Sequence, residues 1–389
     1  MPRLKEPPGD SPPEGMVEGH APQALRHWHV PLHRTSCGPP PRGGEEHMIA
    51  WFREVGIADR PTVGGKGGSL GELTQAGIAV PPGFVVTTSA FEAFLEAIEA
   101  RAPVRAKVEA LDPQDMGAAT RLSEELRRRV VEEPMPPQVE QAILAAHAEL
   151  GASAVAVRSS ATTEDAEDAS FAGLQDTFLW VLDGASTVRK VRECWGSLYS
   201  VESMTYRRKK DFPEDGVAMA VVVQAMVDAR CAGVMFTRSP TTGDKSVITI
   251  EGAPGLGSAV VSGEVTPDRW VLGKITGEIS VRDISDKHAK QVQAPGGGIH
   301  EVALSGEERT GPCLSDDELQ QLREAGRRIE RHYGKPQDIE WAFDKAGRLL
   351  MLQSRPETVW AMKDAKKPVA EPKDNPLAHV MGIFSGGKR

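Results

Sequence analysis

The residues from Gly64 to Gly71 read GGKGGSLG, a pattern suited to binding an anion. Glycines allow backbone N–H groups to approach an anion closely at a helix N-terminus, and Lys66 adds a mobile positive charge. The spacing is not that of a Walker A loop, because Gly67 stands where that loop has serine or threonine. Taken by itself, the segment predicts either a phosphate cradle or a flexible loop.

A second segment places Arg158 on a predicted strand, directly before a loop rich in hydroxyl groups. The hydroxyl side chains are those of Ser159, Ser160 and Thr162. Arginine forms forked, charge-assisted hydrogen bonds with phosphate, and hydroxyl groups adjust readily to phosphate oxygens. The segment therefore suits phosphate binding, and the alternative is a surface ion pair between Arg158 and Glu164 or Asp165.

The third segment is a predicted hairpin that carries polar side chains at every second position. Asp338 and Glu340 lie two residues apart on its first strand, and Gln353 and Arg355 lie two apart on or just beyond the second. Because side chains alternate between the faces of a strand, each pair shares one face. If these faces coincide, two carboxylates, an amide oxygen and a guanidinium converge, which suits Mg²⁺ and a polyphosphate.

Two questions about this hairpin stay open in the sequence. Leu349 and Met351 share the parity of Gln353, so the pattern does not tell whether this face is core, site or both. The alternative to a ligand site is a structural salt bridge between Glu340 and Arg355 across the hairpin.

The composition excludes several classes of function. The net charge of −9 argues against a nucleic-acid surface, and the four cysteines form no CxxC pair. No stretch approaches about 20 uninterrupted apolar residues and the N-terminus has no signal-peptide pattern, so we expect a cytoplasmic protein without membrane contacts. Gly252–Gly257 lacks the third glycine of a dinucleotide fingerprint, and no GxSxG, HExxH or HRD signature is present.

The elements around the three segments predict a mixed α+β fold. Amphipathic spacing predicts the helices, and short apolar runs rich in β-branched residues predict the strands. The predicted helices span residues 69–76, 89–150 with breaks at Pro103, Pro113 and Pro134, 186–209 and 315–334. The predicted strands span residues 80–88, 154–158, 178–182, 219–226, 233–237, 247–251, 337–343 and 348–353.

Both ends of the chain read differently from the rest. Residues 1–47 are rich in Pro, Gly and His and have no periodic apolar face, which predicts a disordered tail. The sequence becomes typical of a folded protein at Met48, so we expect Met48 to be the true start and the preceding residues to be a mis-called extension. Residues 361–389 are rich in Lys and Pro and are predicted to be a flexible tail.

With its motifs in order, the chain resembles the N-terminal nucleotide-binding module of the phosphoenolpyruvate synthase and pyruvate phosphate dikinase family. Four stretches carry the resemblance: GGKGGSLGELTQAGIAVPPGFVVTT at 64–88, AVRSSATTEDAEDASFAGLQDTFL at 156–179, MAVVVQAMVDARCAGVMFTRSPTTG at 219–243 and QDIEWAFDKAGRLLMLQSRPET at 337–358. The family implies an ATP-grasp fold, in which two lobes clamp ATP. The implied lobes are residues 48–230 and residues 231–360, the second with the metal-binding hairpin.

The resemblance also implies roles for individual residues. Lys66, Arg158 and Arg355 resemble the family's catalytic phosphate-contacting residues, and the matching metal positions are Glu340 and Gln353. The implied nucleotide contacts are Lys66, Arg158, Ser159, Ser160, Thr162, Gln224, Met226, Val227, Glu251, Asp338 and Arg355. Among these, Gln224 to Val227 resembles the hinge that meets adenine, Glu251 lies near ribose or metal, and Asp338 is a supporting acid. Residues 159–173 resemble a mobile flap over the phosphates. Such a site neutralises and aligns a polyphosphate without covalent help.

The full-length enzymes of this family have further domains, one of which carries a phosphorylatable histidine in a TSHAA-like motif. None of the ten histidines of this sequence stands in such a motif. We therefore expect a stand-alone subunit that uses MgATP to phosphorylate a histidine on a partner domain or subunit, with release of AMP and phosphate. The β subunit of phenylphosphate synthase is a precedent for such a split.

Three alternatives remain for the function. The first is a truncated phosphoenolpyruvate synthase acting on ATP and pyruvate, and the second is a module of the rifampicin phosphotransferase type. The third is a non-catalytic ATP-binding regulator. Retention of Lys66, Arg158, Glu340, Gln353 and Arg355 argues against the regulator, since an inactive relic needs no complete set.

Overall fold

The structure is a computed structural model that describes residues 47–162, 176–358 and 360. Both predicted tails lie outside the described residues, except for His47 at the end of the first. Residues 163–173 of the predicted flap lie outside them as well. The described part is a mixed α+β structure, as the sequence predicted.

The described residues contain ten α-helices and thirteen strands. The helices are α1 Arg60–Gln75, α2 Thr88–Glu99, α3 Val104–Glu109, α4 Met116–Glu132, α5 Pro137–Leu150, α6 Gly184–Gly196, α7 Val201–Lys209, α8 Ser258–Val261, α9 Gly306–Thr310 and α10 Asp316–Tyr333. The strands are β1 Ile49–Trp51, β2 Gly83–Val86, β3 Val155–Ala161, β4 Thr177–Val181, β5 Met219–Ala225, β6 Ala229–Phe236, β7 Val247–Pro254, β8 Asp268–Gly273, β9 Ile279–Asp283, β10 Ala289–Gln293, β11 Ile299–Ala303, β12 Gln337–Asp344 and β13 Leu349–Pro356.

The strands form two large antiparallel sheets. The N-terminal sheet has the order β1-β2-β5-β3-β4, and the C-terminal sheet has the order β13-β12-β6-β7-β8-β9. Strands β10 and β11 form a separate hairpin. All predicted strands are confirmed in type, whereas β1 and the four strands from β8 to β11 were missed, because most are short and carry few buried apolar side chains.

One face of the N-terminal sheet is covered by helices α2 to α7. Side chains such as Phe94, Leu126 and Trp195 pack there against Val157 and Val221 of the sheet. The predicted helices between residues 89 and 150 are confirmed, with their breaks at the prolines. The predicted helix 186–209 is divided instead, because the Ser200 hydroxyl accepts a hydrogen bond from the Ser203 amide and starts a new helix, α7.

Helix α10 covers one face of the C-terminal sheet. Its apolar side chains, among them Leu319 and Ile329, pack against Trp270 and Trp341 of the sheet. A capping box between Ser315 and Glu318 fixes its start. Burial on this face leaves the opposite face of β7 and β12 for polar side chains such as Glu251 and Glu340, which alternate with the core residues.

Helix α1 corrects the prediction of a glycine-rich loop followed by a short helix. The chain is helical from Arg60 to Gln75 and is interrupted only at Gly64, which has φ 71° and ψ 176°. A side chain at Gly64 would place its Cβ 2.1 Å from the Ser160 carbonyl oxygen. The glycines therefore serve close packing of a helix, rather than the flexibility that their low helix propensity suggests.

Of the described residues, none belongs to a helix long and apolar enough to cross a membrane. Three of the four cysteines, Cys194, Cys231 and Cys313, are buried free thiols. Cys37 lies outside the described residues.

Candidate functional site

Arg158 of the N-terminal sheet reaches across to the C-terminal hairpin. Its Nη2 donates to Glu340 Oε2 and to Gln353 Oε1, both at 2.7 Å, and its Nη1 donates to the Leu352 carbonyl at 2.9 Å. The Arg158 side chain is 10% exposed and that of Glu340 is 27% exposed. Arg158 thus joins the second and third sequence segments at a partly open site, and its observed acidic partner is Glu340.

A β-bulge in the hairpin explains how Gln353 reaches this site. Glu340 pairs with Gln353, but the next residue, Trp341, pairs with Met351, so Leu352 is an extra residue in β13. Met351 therefore joins Trp341 on the core face, while Gln353 joins Glu340 on the opposite face. The bulge therefore divides the odd-numbered side chains of β13 between the two faces, with Met351 in the core and Gln353 at the site. Bulges commonly redirect side chains in this way near functional sites.

The second ion pair of the hairpin joins Arg355 to Asp338. Arg355 Nε donates to Asp338 Oδ2 at 2.9 Å, and the two residues are directly opposite in the ladder. Burial raises the pKa of Asp338, the positive charge of Arg355 opposes this, and the negative charge of Glu340 raises the pKa further. The Arg355 side chain is half exposed, so its charge faces solvent beside the Arg158 contact.

The oxygens of Glu340 and Gln353 fit a magnesium ion. Both converge on one cationic nitrogen, Arg158 Nη2, which marks a point that a single cation reaches from both side chains. Carboxylate and amide oxygens are the donors that Mg²⁺ uses, commonly with one or two carboxylates and several waters. Across the described ranges no group of three His, Cys, Asp or Glu side chains is placed to hold a metal, so Glu340 is the acidic ligand available at this point.

Lys66 lies in the first turn of the helical segment that follows the break at Gly64, and it is 7% exposed. The Ser160 hydroxyl spans this break: it accepts a hydrogen bond from the Gly67 amide at 3.1 Å and donates to the Val63 carbonyl at 3.0 Å. Ser160 and Arg158 lie on the same strand and face the same side. The first and second sequence segments therefore meet directly, and Ser160 fixes one to the other.

Ser159 lies in β3, which extends beyond the predicted strand end at Arg158, and Thr162 follows directly after it; both hydroxyls also donate to main-chain carbonyls. Ser159 Oγ donates to Asp176 at 3.2 Å, and Thr162 Oγ1 donates to Ala218 at 3.4 Å. The first bond ties β3 to the residue before β4, and the second ties the residue after β3 to the residue before β5.

The predicted adenine hinge links the two sheets. Gln224, near the end of β5, is buried and its Nε2 donates to the Pro81 carbonyl at 3.4 Å. Met226 donates its amide to the Ala154 carbonyl at 3.0 Å and packs in a small apolar cluster with Trp180 and Leu256. Val227 follows, half-buried, in the short link to β6. This link lies beside apolar side chains.

Glu251 lies on the same face of the C-terminal sheet as Glu340. Val234 stands between them in the cross-strand row, and Arg269 follows Glu251 on the next strand. The Arg269 guanidinium lies 4.0 Å from the Glu251 carboxylate. Glu251 therefore belongs to the same polar face but not to the immediate contacts of Arg158.

Two contacts of the site could not be predicted from the sequence. The first is the Leu352 carbonyl, which accepts from Arg158, because nothing in the sequence marks a bulge at Leu352. The second is made by Ser69: its hydroxyl donates to the Ser354 carbonyl and contacts Tyr333, which ties α1 to the hairpin and to α10. Its place three residues after Lys66, about one turn along α1, is an ordinary helical position, so only the tertiary structure reveals the contact.

A model of the family described as pyruvate phosphate dikinase, AMP/ATP-binding domain, matches residues 60–375, and the chain belongs to this family. It is an ATP-binding module of the phosphoenolpyruvate synthase type, which confirms the family resemblance read from the four sequence stretches. Membership supports a kinase-type transferase.

The curated relatives are much longer than this chain. The probable phosphoenolpyruvate synthase of Methanocaldococcus jannaschii is 40% identical over 332 residues, which cover 84% of this chain and 28% of that protein. The probable phosphoenolpyruvate synthase of Methanothermobacter thermautotrophicus is 42% identical, with 80% and 46% covered, and the phosphoenolpyruvate synthase of Pyrococcus furiosus is 38% identical, with 80% and 44% covered. The chain thus spans less than half the length of each.

Among solved structures, the D-cycloserine synthetase DcsG aligns with 74% of this chain and 61% of its own, at 12% identity and a TM-score of 0.27. A likeness this low supports no argument about fold or function.

Proposed function

We propose that this chain is an ATP-grasp module that binds MgATP between its two sheets and phosphorylates a histidine on a partner domain or subunit. The observation that carries the proposal is the contact of Arg158, from one sheet, with Glu340 and Gln353 of the other. The lobes are residues 48–230 and 231–360, and residues 159–173 are the flap. ATP, the histidine and water give phosphohistidine, AMP and phosphate.

The chain's own cations account for the binding of the phosphates. Arg158, Lys66 and Arg355 place three positive charges around the point where the two sheets meet, and Asp338 orients Arg355 by a direct ion pair. Phosphoryl transfer needs alignment and charge neutralisation more than covalent catalysis, and arginines at such positions contribute strongly. Glu340 and Gln353 hold Mg²⁺, which neutralises charge on the polyphosphate when bound.

The base and sugar of the nucleotide extend from this point along the polar face of the C-terminal sheet. The adenine meets the link Gln224–Val227, where Met226 packs beside Trp180 and Leu256. Glu251 lies two strands from Glu340 on the same face, at a position suited to the ribose hydroxyls or to the metal's water ligands.

A second candidate is suggested by the lengths of the relatives. Since the matched proteins are named phosphoenolpyruvate synthase and are more than twice as long as the matched region, the chain is alternatively a part of such an enzyme, acting on ATP and pyruvate. The phosphate acceptor of a split enzyme, in contrast, need not be pyruvate.

The test is to mix the chain with MgATP and a candidate partner chain that carries the phosphorylatable histidine. The proposal expects AMP and an acid-labile phosphate on that partner, both lost in Arg355→Ala, which should remain folded because its side chain is half exposed. Addition of pyruvate or a phenol to the phosphorylated partner distinguishes the acceptors. Tight ATP binding without turnover would instead favour a regulator, and absence of ATP binding would overturn the proposal.

A further inference from the structure

Resting on the proposed function, we infer that Arg158 is an internal cation that holds the magnesium site closed, and that it must leave Glu340 and Gln353 before a metal ion binds there. The guanidinium thus has two alternative sets of partners. It binds the side chains of Glu340 and Gln353 when no metal ion is bound, and it binds the phosphates when MgATP is bound.

The first step of the argument is that Arg158 engages the very oxygens that would bind the metal. A single nitrogen, Nη2, lies 2.7 Å from both Glu340 Oε2 and Gln353 Oε1. Magnesium binds oxygen ligands at about 2.0–2.1 Å. A metal ion at that distance on the Nη2 side of the two oxygens would overlap Nη2, so the two cannot share this position.

Gln353 has only one oxygen for which Arg158 and a metal ion can compete. Glu340 has a second carboxylate oxygen and can serve two partners, but a glutamine amide has one oxygen, and its NH₂ group accepts no hydrogen bond from a guanidinium. The Gln353 side chain is buried, with 6% of the residue exposed, which limits its freedom to turn elsewhere. The two positive charges would also repel one another across this short distance.

The bulge gives Arg158 a pivot for the exchange. Its Nη1 donates to the Leu352 carbonyl, a main-chain group that a metal at Glu340 and Gln353 leaves free. Nη2 can therefore be released while Nη1 keeps its partner. The released Nη2 then points into the space between the sheets, where a phosphate oxygen would accept its hydrogen bond.

The exchange has an energetic consequence for ligand binding. In the absence of nucleotide, a metal must displace a buried guanidinium that has no replacement acceptor, so metal alone binds weakly. When the polyphosphate provides that acceptor, metal binding becomes easier, and by linkage the metal strengthens nucleotide binding equally. The site therefore binds the metal–nucleotide complex more tightly than it binds the metal ion alone or the nucleotide alone.

The test is a titration of the purified, full-length chain with Mn²⁺ alone, followed by calorimetry or by electron paramagnetic resonance of the free ion. Removal of the competing cation in Arg158→Gln should tighten Mn²⁺ binding by about tenfold, the equivalent of ~1.4 kcal/mol. Addition of Glu340→Gln to this variant should abolish the gain, which locates the ion at the proposed site.

Arg355→Gln is the matched control, since it removes the same charge two pairs along the hairpin without freeing Gln353 or Glu340. Its effect on Mn²⁺ affinity should stay within about threefold, the part due to net charge alone. Arg158→Lys is a second variant, which keeps the positive charge and is used if Arg158→Gln does not fold. It should also tighten Mn²⁺ binding, because the single ammonium group of lysine cannot contact the three acceptors that the branched guanidinium contacts.

Unchanged or weaker Mn²⁺ binding in both Arg158 variants would overturn the exchange, as would an equal gain in Arg355→Gln. Binding of ATP by the wild-type chain is measured in parallel. If ATP binds while the Arg158 variants show no gain, only the exchange fails; if ATP does not bind, the proposed function fails irrespective of the metal titration.

Discussion

Two buried arginines, Arg207 in the helical layer and Arg158 between the sheets, make the same kinds of contact in different settings. Arg207 binds both carboxylate oxygens of Glu214, at 2.9 and 3.2 Å, and also donates to the Leu198 carbonyl and the Ser203 hydroxyl. The side chains of this ion pair are 2% and 3% exposed. All partners lie within nine residues of Arg207 in the sequence.

Arg158 has partners that are 182 to 195 residues away in the sequence, and its carboxylate partner is partly exposed. The Arg207 contacts tie α7 to the residues just before and just after it, so opening them disrupts this local structure. The Arg158 contacts join two separately packed sheets, so they can open while each sheet keeps its own core. The two arginines thus differ in how far their partners lie along the chain, and the long-range set of contacts is the one that the proposed function uses.

The largest effect is expected at Arg158. Arg158→Ala should lower phosphoryl transfer by about 10³-fold or more, because a phosphate-facing arginine contributes 10³–10⁵-fold in comparable reactions. Single-turnover formation of AMP with the partner chain measures this loss, and urea unfolding measures stability. A larger loss of stability than in Arg207→Ala would contradict the distinction between the two arginines.

At Arg207 the expected effect is on stability alone. Arg207→Ala should lower the free energy of unfolding by about 3–5 kcal/mol, because it leaves the buried Glu214 carboxylate without its partner. Urea unfolding followed by circular dichroism gives this value. ATP affinity per folded molecule should be unchanged at low temperature, and a selective loss of ATP binding would show that the helical layer contributes to the site.

An intermediate effect is expected at Ser160, whose hydroxyl joins β3 to the break in α1. Ser160→Ala leaves the buried Gly67 amide without its acceptor and should destabilise the chain by about 1–3 kcal/mol. The position of Lys66 depends on this contact, so transfer should also fall. Ser160→Thr, which retains the hydroxyl, is the control. Equal activity of wild type and Ser160→Ala in folded protein would show that Ser160 does not position Lys66.

The smallest effect is a pH dependence in the helical layer. Burial lowers the pKa of His147, and the nearby Asp183 opposes this shift. Because the folded-state pKa lies below the unfolded value of 6.5, the stability that neutral His147 contributes is complete above pH 6.5 and is lost as the pH falls toward the folded-state pKa. Urea unfolding from pH 8 to pH 5 should show a smaller loss in His147→Gln. Identical pH profiles would contradict the assignment.

The sequence predicted the parts of the site that depend on local pattern. Period-two alternation gave the strand of Asp338 and Glu340, and the apolar run before Arg158 gave β3. The family match extended this to metal and phosphate roles, which stay proposals. What pattern could not predict is contact at a distance: nothing near Arg158 indicates Glu340, 182 residues further along.

Two local features also escaped prediction, for opposite reasons. Glycine lowers helix propensity, but in α1 close packing against Ser160 and Val55 requires it, so tertiary contacts override the local tendency. The bulge at Leu352 shifts the alternation by one residue, and periodicity assumes a constant phase. Sequence patterns therefore indicated which residues belong to the candidate site, but they did not predict the contacts between those residues.

The extra residue in β13 also bears on how the hairpin folds. Without a bulge, two antiparallel strands can slip by two residues and keep every side chain on its original face. Such a slip would bring Arg355 opposite Glu340, an attractive but incorrect pair. With Leu352 in place, the same slip pairs Met351 with Phe343, which is also a core residue, so alternation alone does not prevent it. The slip would instead bring Gln353 opposite Ala342, away from Glu340, so the shared contact of Glu340 and Gln353 with Arg158 holds the hairpin in its native register.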